Sequence, residues 1–522
     1  KNNHEDAPDA TTGIAEKIGI GGTFSFDWEK SWTHLFNFTS LSSDPVRLNT
    51  IIKETPKIIS DEEYVEELIQ EFLASGKRKE MIDGERYYEG DHDILAMKRT
   101  IIGEGGSLQE VDNLPNNRII DNQYQKMVDQ KKNYLLGKPI VFGTEDNKKY
   151  NDLLKQTFNR KFQRLIKNIG EDSLNCGIAW MFVNYNEHGE LEMKRLKPYQ
   201  VIPIWLDYEH EELEAVIYFY DWESNGEVYQ KVEVYDENGI YRFIRKDNRI
   251  IPDDVPFSTY FSLLDEDGDE LGLNWLKIPV IPWRYNTKEI PLIRKVKSLQ
   301  DGINAILSTF MNNMQEDARN TILVLVNYDG QDLGEFRRNL SQYGAVKVRN
   351  DGTGGGGVDT LQVEVNAENY QAILKVLKNA LIANARGFDA KDDRLNGEPN
   401  QMNIQSMYSD VDLDANEMET EYQASFEELL EFVNTYYTHR GLGDYDVENV
   451  EVVFNRDILI NESEVIANIR QSTGVISRKT QVRNHPWIDD VDEEMKLIDQ
   501  EETIPDDYGN AFKKVIPNEE VE

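Results

Sequence analysis

Between Ala367 and Arg440 apolar positions recur with the period of a helix, stop for a polar interval, and resume. Tyr370, Leu374, Leu377 and Leu381 are spaced by four, three and four residues, with Ile373 beside them, which predicts a helix packed against neighbouring helices and ending near Gly387. The interval Asp389 to Asn403, DAKDDRLNGEPNQMN, is polar and contains Gly397 and Pro399, which do not belong inside a regular element. From Ile404 to Arg440 the stripe returns at Met407, Val411, Met418, Tyr422, Phe426, Leu429, Leu430 and Val433. At about 1.5 Å per residue such a helix is about 55 Å long, enough to cross a domain.

The rest of the chain reads as a mixture of helices and strands. Ser60 and Glu63 frame a capping box for an acidic amphipathic helix from Asp61 to Ala74. A helix is predicted over Asn116 to Leu136, with Ile120, Tyr124, Met127, Val128, Lys131 and Leu135 on one side and Gly137 placed to end it. Tyr150 to Asn175 reads as another. Between Ile178 and Asn286 the period moves towards two: AWMFVNY, VIPIWLDY, LEAVIYFYDW, VYQKVEVYDENGIYRFIR and IPVIPWRYN predict strands, with Asn238-Gly239 at a hairpin turn. Pro291 opens a helix to about Arg319, carrying Ile293, Val296, Leu299, Ile303, Ile306, Leu307 and Phe310. TILVLVNYDG then predicts a strand, DLGEFRRNL a short helix, and YGAVKVRNDGTGGGGVDTLQVEV a hairpin around Gly354 to Gly357 that leads into a strand over Thr360 to Val365. Past Gly441 to Gly443 come the strand VEVVFNRD, a helix capped by Asn461 or Ser463, and a helical hairpin with Pro486-Trp487 between its parts. The fold class is α+β.

Composition narrows this picture. A chain of 522 residues with 39% hydrophobic side chains can build several cored subdomains. The single cysteine, Cys176, excludes an internal disulfide and any multi-cysteine metal site, and its setting in SLNCGIAWMFV suits a small buried side chain. With no apolar run near twenty residues and no signal-peptide pattern at the start, the expectation is a soluble chain made in the cytoplasm. Lys1 in place of an initiating methionine suggests a trimmed start. The formal net charge of −39 repels polyphosphate and argues against tight DNA binding. It merely permits a surface past which a polyphosphate slides, because each lysine–phosphate pair adds affinity and hence friction. Aromatic residues at 10%, with clear periodicity, argue against a disordered acidic protein. FSFDWEKSWTHLFNF (Phe24 to Phe38) packs on its own body or serves as an arm onto a neighbour, and the chain ends in an acidic tail through Glu519, Glu520 and Glu522.

Candidate chemistry is sparse. Gly137-Lys138 lacks the upstream glycine and following Ser or Thr of a phosphate loop, and Gly354 to Gly357 leads into a strand where such a loop leads into a helix. The acidic knot Asp265 to Glu270 lacks spaced later ligands and reads as a solvated turn. Asp410, Asp412, Asp414, Asn416 and Glu421 fall at the ligand positions of a calcium loop, but Ala415 occupies the position that demands glycine and favours a continuous helix. His485 is one imidazole without a second ligand, and Asn37 is a glycosylation sequon only on paper. No catalytic residue, metal or cofactor is assigned.

Four stretches carry a resemblance, in chain order: RYYEGDHDIL (Arg86 to Leu95), KNYLLGKP (Lys132 to Pro139), NIQSMYSDVDLDANEMETEYQASFEELLEFVN (Asn403 to Asn434) and INESEVIANIRQSTGVISRKTQVRNHPWIDDVDEEMKLI (Ile460 to Ile498). Through them the chain resembles the portal proteins of tailed bacteriophages, specifically the family from long-tailed phages of Gram-positive bacteria. The resemblance implies an N-terminal extension over 1–60, an α+β wing over 61–287, a first stem helix over 288–319, a small α/β clip over 320–366 and a second stem helix over 367–388. It then implies a tunnel loop over 389–403, a long wing helix with return strand over 404–457, a helical crown over 458–505 and a tail over 506–522. Tyr370, Leu374, Leu377 and Leu381 would pack the stem; Tyr328, Arg337, Arg338 and Arg349 would dock partners at the clip; Asp389, Lys391, Asp392, Asp393, Arg394, Asn396 and Asn400 would face DNA. The implied assembly is a cyclic homo-oligomer, a dodecamer in the virion, at one capsid vertex. It would conduct double-stranded DNA without sequence specificity during packaging and ejection. Implied partners are the terminase large subunit, a head-completion or connector protein, and the major capsid and scaffold proteins, with no membrane. The alternative class is a DNA-packaging-associated nucleotide hydrolase or nuclease, which needs a phosphate loop or clustered acidic metal ligands. A head–tail connector is a third, and such chains are usually shorter.

Overall fold

The computed structural model describes residues 61–102, 107–112, 114–144, 147–224, 226–264, 270–317, 322–326, 357–361, 367–389, 401–456, 462–488 and 491–503. The first helix, α1 (Glu62–Ala74), is capped by Asp61, whose carboxylate accepts from the Glu63 N–H at 3.0 Å, so the cap sits one residue later than Ser60. Ser75 closes it and caps α2 (Gly76–Glu89), its Oγ accepting from Arg78 N at 3.2 Å. A hairpin of β1 (Thr100–Ile102) and β2 (Leu108–Glu110) leads to an extended stretch, and α3 (Gln123–Leu136) begins only at Gln123 rather than Asn116. β3 (Val141–Gly143) precedes α4 (Lys148–Thr157) and α5 (Arg160–Cys176). The helix expected over Tyr150 to Asn175 is these two pieces, because Asn159 turns its side chain back to cap the N–H groups of Lys161 and Phe162.

Two antiparallel sheets follow. β4 (Ile178–Tyr185), β5 (Leu191–Leu196) and β13 (Val280–Arg284) pair in the order β13-β4-β5. β6 (Val201–Trp205), β7 (Leu213–Ser224), β8 (Glu227–Asp236), β9 (Gly239–Lys246) and β10 (Arg249–Ser258) form a meander. The β8–β9 turn is Glu237-Asn238, one residue before the expected Asn238-Gly239, and is tightened by Asp236, which accepts from the N–H groups of Asn238 and Gly239. The β9–β10 turn places Asp247 and Asn248 at φ 53° and 59°, the left-handed pair of a type I′ hairpin. β11 (Phe261–Leu264) and β12 (Glu270–Leu273) form a further hairpin. Val65 and Ile69 of α1 pack on Ile217, Phe219, Val232 and Val234 of the meander.

The remaining elements are α6 (Leu292–Asp317), β14 (Ile322–Val326), β15 (Gly357–Leu361), α7 (Ala367–Asn384), α8 (Gln401–His439), β16 (Glu451–Val453), α9 (Glu462–Gln471), α10 (Arg478–Arg483) and α11 (Val491–Thr503). The long helix is continuous and starts at Gln401, inside the stretch expected to be loop. α7 stops at Asn384 because Arg386 turns to φ 50° and Gly387 N–H returns to Ile382 O. β15 pairs antiparallel with β14, and Gly354 to Gly356 lie outside the described residues. β16 closes back on β3. Trp180 and Trp283 are fully buried in the main core, with Trp283 edge-on to Tyr422 and Phe426 of α8. Cys176 is buried in the same core, and burial pushes its thiol up. The aromatic segment Phe24 to Phe38, Asn37, Asp265 to Asp269, DLGEFRRNL and the acidic tail lie outside the described residues.

Candidate functional site

The paired helices α6 and α7, with the start of α8, form the candidate site. On α7, Leu381 is fully buried, Leu374 and Leu377 are half-buried against the main core, and Tyr370 packs its ring 5.0 Å from that of Phe310 and accepts from Asn313 Nδ2 at 3.0 Å. This uses only one side of the helix. Ile373 and Val376 stay 48% and 65% exposed, and Met311 and Met314 of α6 stay 39% and 50% exposed. A third side of α7 carries the exposed polar residues Gln371, Lys375 and Asn379.

α6 is fixed to the body by a ladder of polar side chains that sequence periodicity did not reveal. Gln300, Asn304, Ser308 and Asn312 recur every four residues and are buried. Three accept a backbone N–H from the extended stretch before α3, Asn312 from Asn117 at 2.7 Å, Ser308 from Ile119 at 2.9 Å and Asn304 from Asp121 at 3.0 Å, and Gln300 accepts from Tyr124, in the first turn of α3, at 2.9 Å. Four helical residues rise about 6 Å and two extended residues about 6.6 Å, so the two repeats nearly match. This is why Asn116 to Asn122 is extended where its apolar spacing suggested helix: the side-chain acceptors replace the helical carbonyls. His92, from the RYYEGDHDIL stretch, is buried beside the ladder; its Nδ1 accepts from Asn304 Nδ2 at 2.8 Å, which places the proton on Nε2, donated to Tyr87 O at 3.0 Å. Burial pushes its pKa down, consistent with a neutral ring.

A buried charge hub lies where α7 ends and α8 crosses. Lys131 Nζ is 2.7 Å from Asp414 Oδ2, with side chains only 3% and 4% exposed, and also donates to Arg386 O at 3.3 Å. The Tyr285 hydroxyl lies 2.8 and 2.9 Å from the two Asp414 oxygens. Lys295 and Arg386 approach the same carboxylate at 3.9 Å. Burial lowers the Lys131 pKa against the pull of Asp414, and burial with Asp414 raises that of Tyr285. Beside it, Gln130 clasps the backbone of Phe388, accepting from its N–H and donating to its carbonyl, both at 3.0 Å. Four of the five calcium-like residues are engaged along a continuous helix: Asp414 in the hub, Asp412 with Arg456 at 2.9 Å, Asn416 also accepting from Arg456, and Glu421 accepting from Thr287 at 3.0 Å.

Of the residues expected to face DNA, Asp389 is half-buried at the edge of α7, whereas Lys391, Asp392, Asp393, Arg394, Asn396 and Asn400 lie outside the described residues. So do Tyr328, Arg337, Arg338 and Arg349. His485 accepts from Trp487 N at 3.4 Å and meets the Trp487 ring edge-on at 5.3 Å. Among those residues no helix is long and apolar enough to cross a membrane.

The described residues form a mixed helix–sheet body crossed by a 39-residue helix, with a helix pair that leaves apolar side chains in solvent, the mark of an interaction surface. The family of phage portal proteins described as SPP1 Gp6-like matches residues 75–503, and the chain belongs to that family. The portal protein of Bacillus phage SPP1 is 26% identical over 460 residues, covering 87% of this chain and 89% of that one. That of Clostridium phage phiCD119 is 27% identical over 452 residues, covering 84% and 96%.

Proposed function

We propose that the chain assembles into a cyclic homo-oligomer, a dodecamer in the virion, at one capsid vertex and conducts double-stranded DNA during packaging and ejection. The observation that carries this reading is the set of exposed apolar side chains on α6 and α7, Met311 and Met314 on the one and Ile373 and Val376 on the other, which heterologous contacts with neighbouring subunits would cover. In this reading residues 61–287 are the wing, α6 and α7 the stem, 320–366 the clip that meets the terminase large subunit and then a head-completion or connector protein, and 458–505 the crown. The loop after Asp389 faces DNA through Lys391 and Arg394, opposed by Asp389, Asp392, Asp393 and Glu398, with Asn396 and Asn400 beside them, touching phosphates without base readout. Tyr328, Arg337, Arg338 and Arg349 serve the clip contacts, and the capsid and scaffold proteins surround the wing. Family membership favours this structural role over a nucleotide hydrolase or nuclease.

The test is the mass of the purified protein by light scattering, with negative-stain images of the same peak. A closed ring of about a dozen subunits with an axial hole supports the reading. A monomer or dimer at every salt and protein concentration, with scaffold and capsid protein added, overturns it.

A further inference from the structure

The side of α7 that faces neither its own core nor the exposed apolar stripe forms, with the first turn of α3, an open groove of about 390 Å³ that ends at Asp389. Its rim carries Lys126 and Lys375, both exposed, and Lys378, which is half-buried and ion-paired with Asp121 at 2.5 Å. Gln371 and Asn379 add amide donors, and Leu374 forms part of the floor. Lys126, Lys375, Gln371 and Asn379 have no hydrogen-bond or ion-pair partner among the described residues. The carboxylates at this groove are Asp121, paired with Lys378, and Asp389 at its end. The groove also lies at the N-terminal end of α3, a helix of 14 residues, where the peptide dipoles add positive potential.

Uncommitted lysines are notable in a chain of net charge −39. Ammonium groups interleaved with side-chain amides form the donor set that contacts phosphodiester oxygens and positions a duplex without reading its bases. We infer that this groove is a contact for the phosphate backbone of double-stranded DNA, with Lys126 and Lys375 as its charged contacts. The inference rests on the conduit reading above and adds a fixed, helix-borne contact to the loop that begins at its end. Because the lysines project from two helices, the contact keeps its geometry whatever the loop does. Being few and exposed, they hold the duplex weakly enough to let it move.

The test uses the full-length protein at its native oligomeric state and a short fluorescein-labelled duplex, followed by anisotropy across a salt series. K126Q/K375Q is compared with wild type and with K246Q, which removes an exposed lysine paired with Glu227 on the meander. The double variant is expected to weaken binding uniformly across duplex sequences and to lower the slope of log affinity against log salt by about two or more, while K246Q leaves both unchanged. Binding and slope unchanged in K126Q/K375Q, or no binding by wild-type rings at low salt, overturns the inference. Loss of the ring in K126Q/K375Q while wild type stays assembled also overturns it, because the groove then serves a neighbour's carboxylates. If wild type forms no ring yet its binding depends on Lys126 and Lys375, the groove stands and the conduit reading fails.

Discussion

Replacing Lys131 with methionine tests the charge hub most directly. The substitution keeps the unbranched stem among the buried side chains of α3 and removes only the ammonium group, leaving Asp414 buried with the Tyr285 hydroxyl as its close donor. Lys295 and Arg386 remain at 3.9 Å, but both are partly exposed and their contribution is screened. Breaking a buried pair by removing one partner costs about 3–5 kcal/mol, and the residual donors place Lys131→Met near about 3 kcal/mol. Asp414→Asn alone strands the Lys131 ammonium, whose pKa burial already lowers, so its cost shrinks as pH rises towards the lysine range. The double variant K131M/D414N retains an acceptor for Tyr285 and buries no charge. Its cost should fall at least about 2 kcal/mol below the sum of the singles. Denaturant unfolding of the four proteins reads this cycle. Additive single costs, or a loss below about 1 kcal/mol for Lys131→Met, would refute the assignment of the hub as a coupled buried pair.

Three further predictions use other parts of the molecule. Asn304→Leu leaves the Asp121 N–H and His92 Nδ1 unpaired in the core and should cost about 3 kcal/mol, with hydrogen-exchange protection lost first at Asn117 to Asp121; protection unchanged there would sink the ladder. Burial pushes the Asp172 carboxyl up to about 7 against Arg195 and Lys197, so this group favours the folded state at acid pH and loses that contribution as pH rises through its folded value. Asp172→Asn should therefore raise the melting temperature above about pH 7 and not below about pH 4, whereas Glu289, held well below the usual range by Lys77 and His210 despite burial, has the opposite sign and Glu289→Gln should lose stability above about pH 5. Val376→Asp lies on the exposed side of α7 and should change subunit stability by less than about 0.5 kcal/mol while dispersing the ring; a ring of unchanged mass would count against that side as the interface.

Elements whose partners lie on the same helix face were legible. The stripe from Met407 to Val433 gave the long helix because its apolar residues meet one continuous core, and Val411, Met418, Tyr422 and Phe426 are all buried. The hub left a trace: Lys131 stands in the apolar stripe of α3, and Asp414 lies between Val411 and Met418 on α8, so each charge occupies a core position. Pairing them required the fold, since 283 residues separate them. The same holds for the ladder. Ile120 and Tyr124 have helical spacing, yet the backbone around Ile120 is drawn into an extended path by acceptors on a helix some 180 residues later, and only Tyr124 is helical. β5, LEMKRL, and β10, with Pro252 and Pro256, were not anticipated because one is half charged and the other is interrupted by prolines that only an edge strand tolerates. The residues expected to touch DNA and the clip partners rest on the resemblance, with Asp389 the member of both groups that the structure describes.

The ladder and the hub solve the same mechanical problem at different points along the helix pair. Apolar contacts between helices are non-directional, so a stripe such as Leu374, Leu377 and Leu381 can hold α7 on α6 with some freedom of rotation and slide. Hydrogen bonds lose strength steeply when bent, and a buried donor left unpaired is expensive, so four amide and hydroxyl acceptors on α6 close against Asn117 to Tyr124 in one register. At the far end, the Lys131 contact to Arg386 O and the Gln130 clasp on Phe388 fix where the chain leaves α7. In the proposed ring this matters because closure multiplies any angular error by the number of subunits. The exposed side of Ile373 and Val376 can meet a neighbour correctly only if its helix is set at one angle to the body. Polar groups buried at a cost in stability are what set that angle, and this predicts that loosening the ladder by Asn304→Leu will broaden the distribution of ring sizes before it abolishes assembly, a result that mass measurement of single particles can confirm or refute.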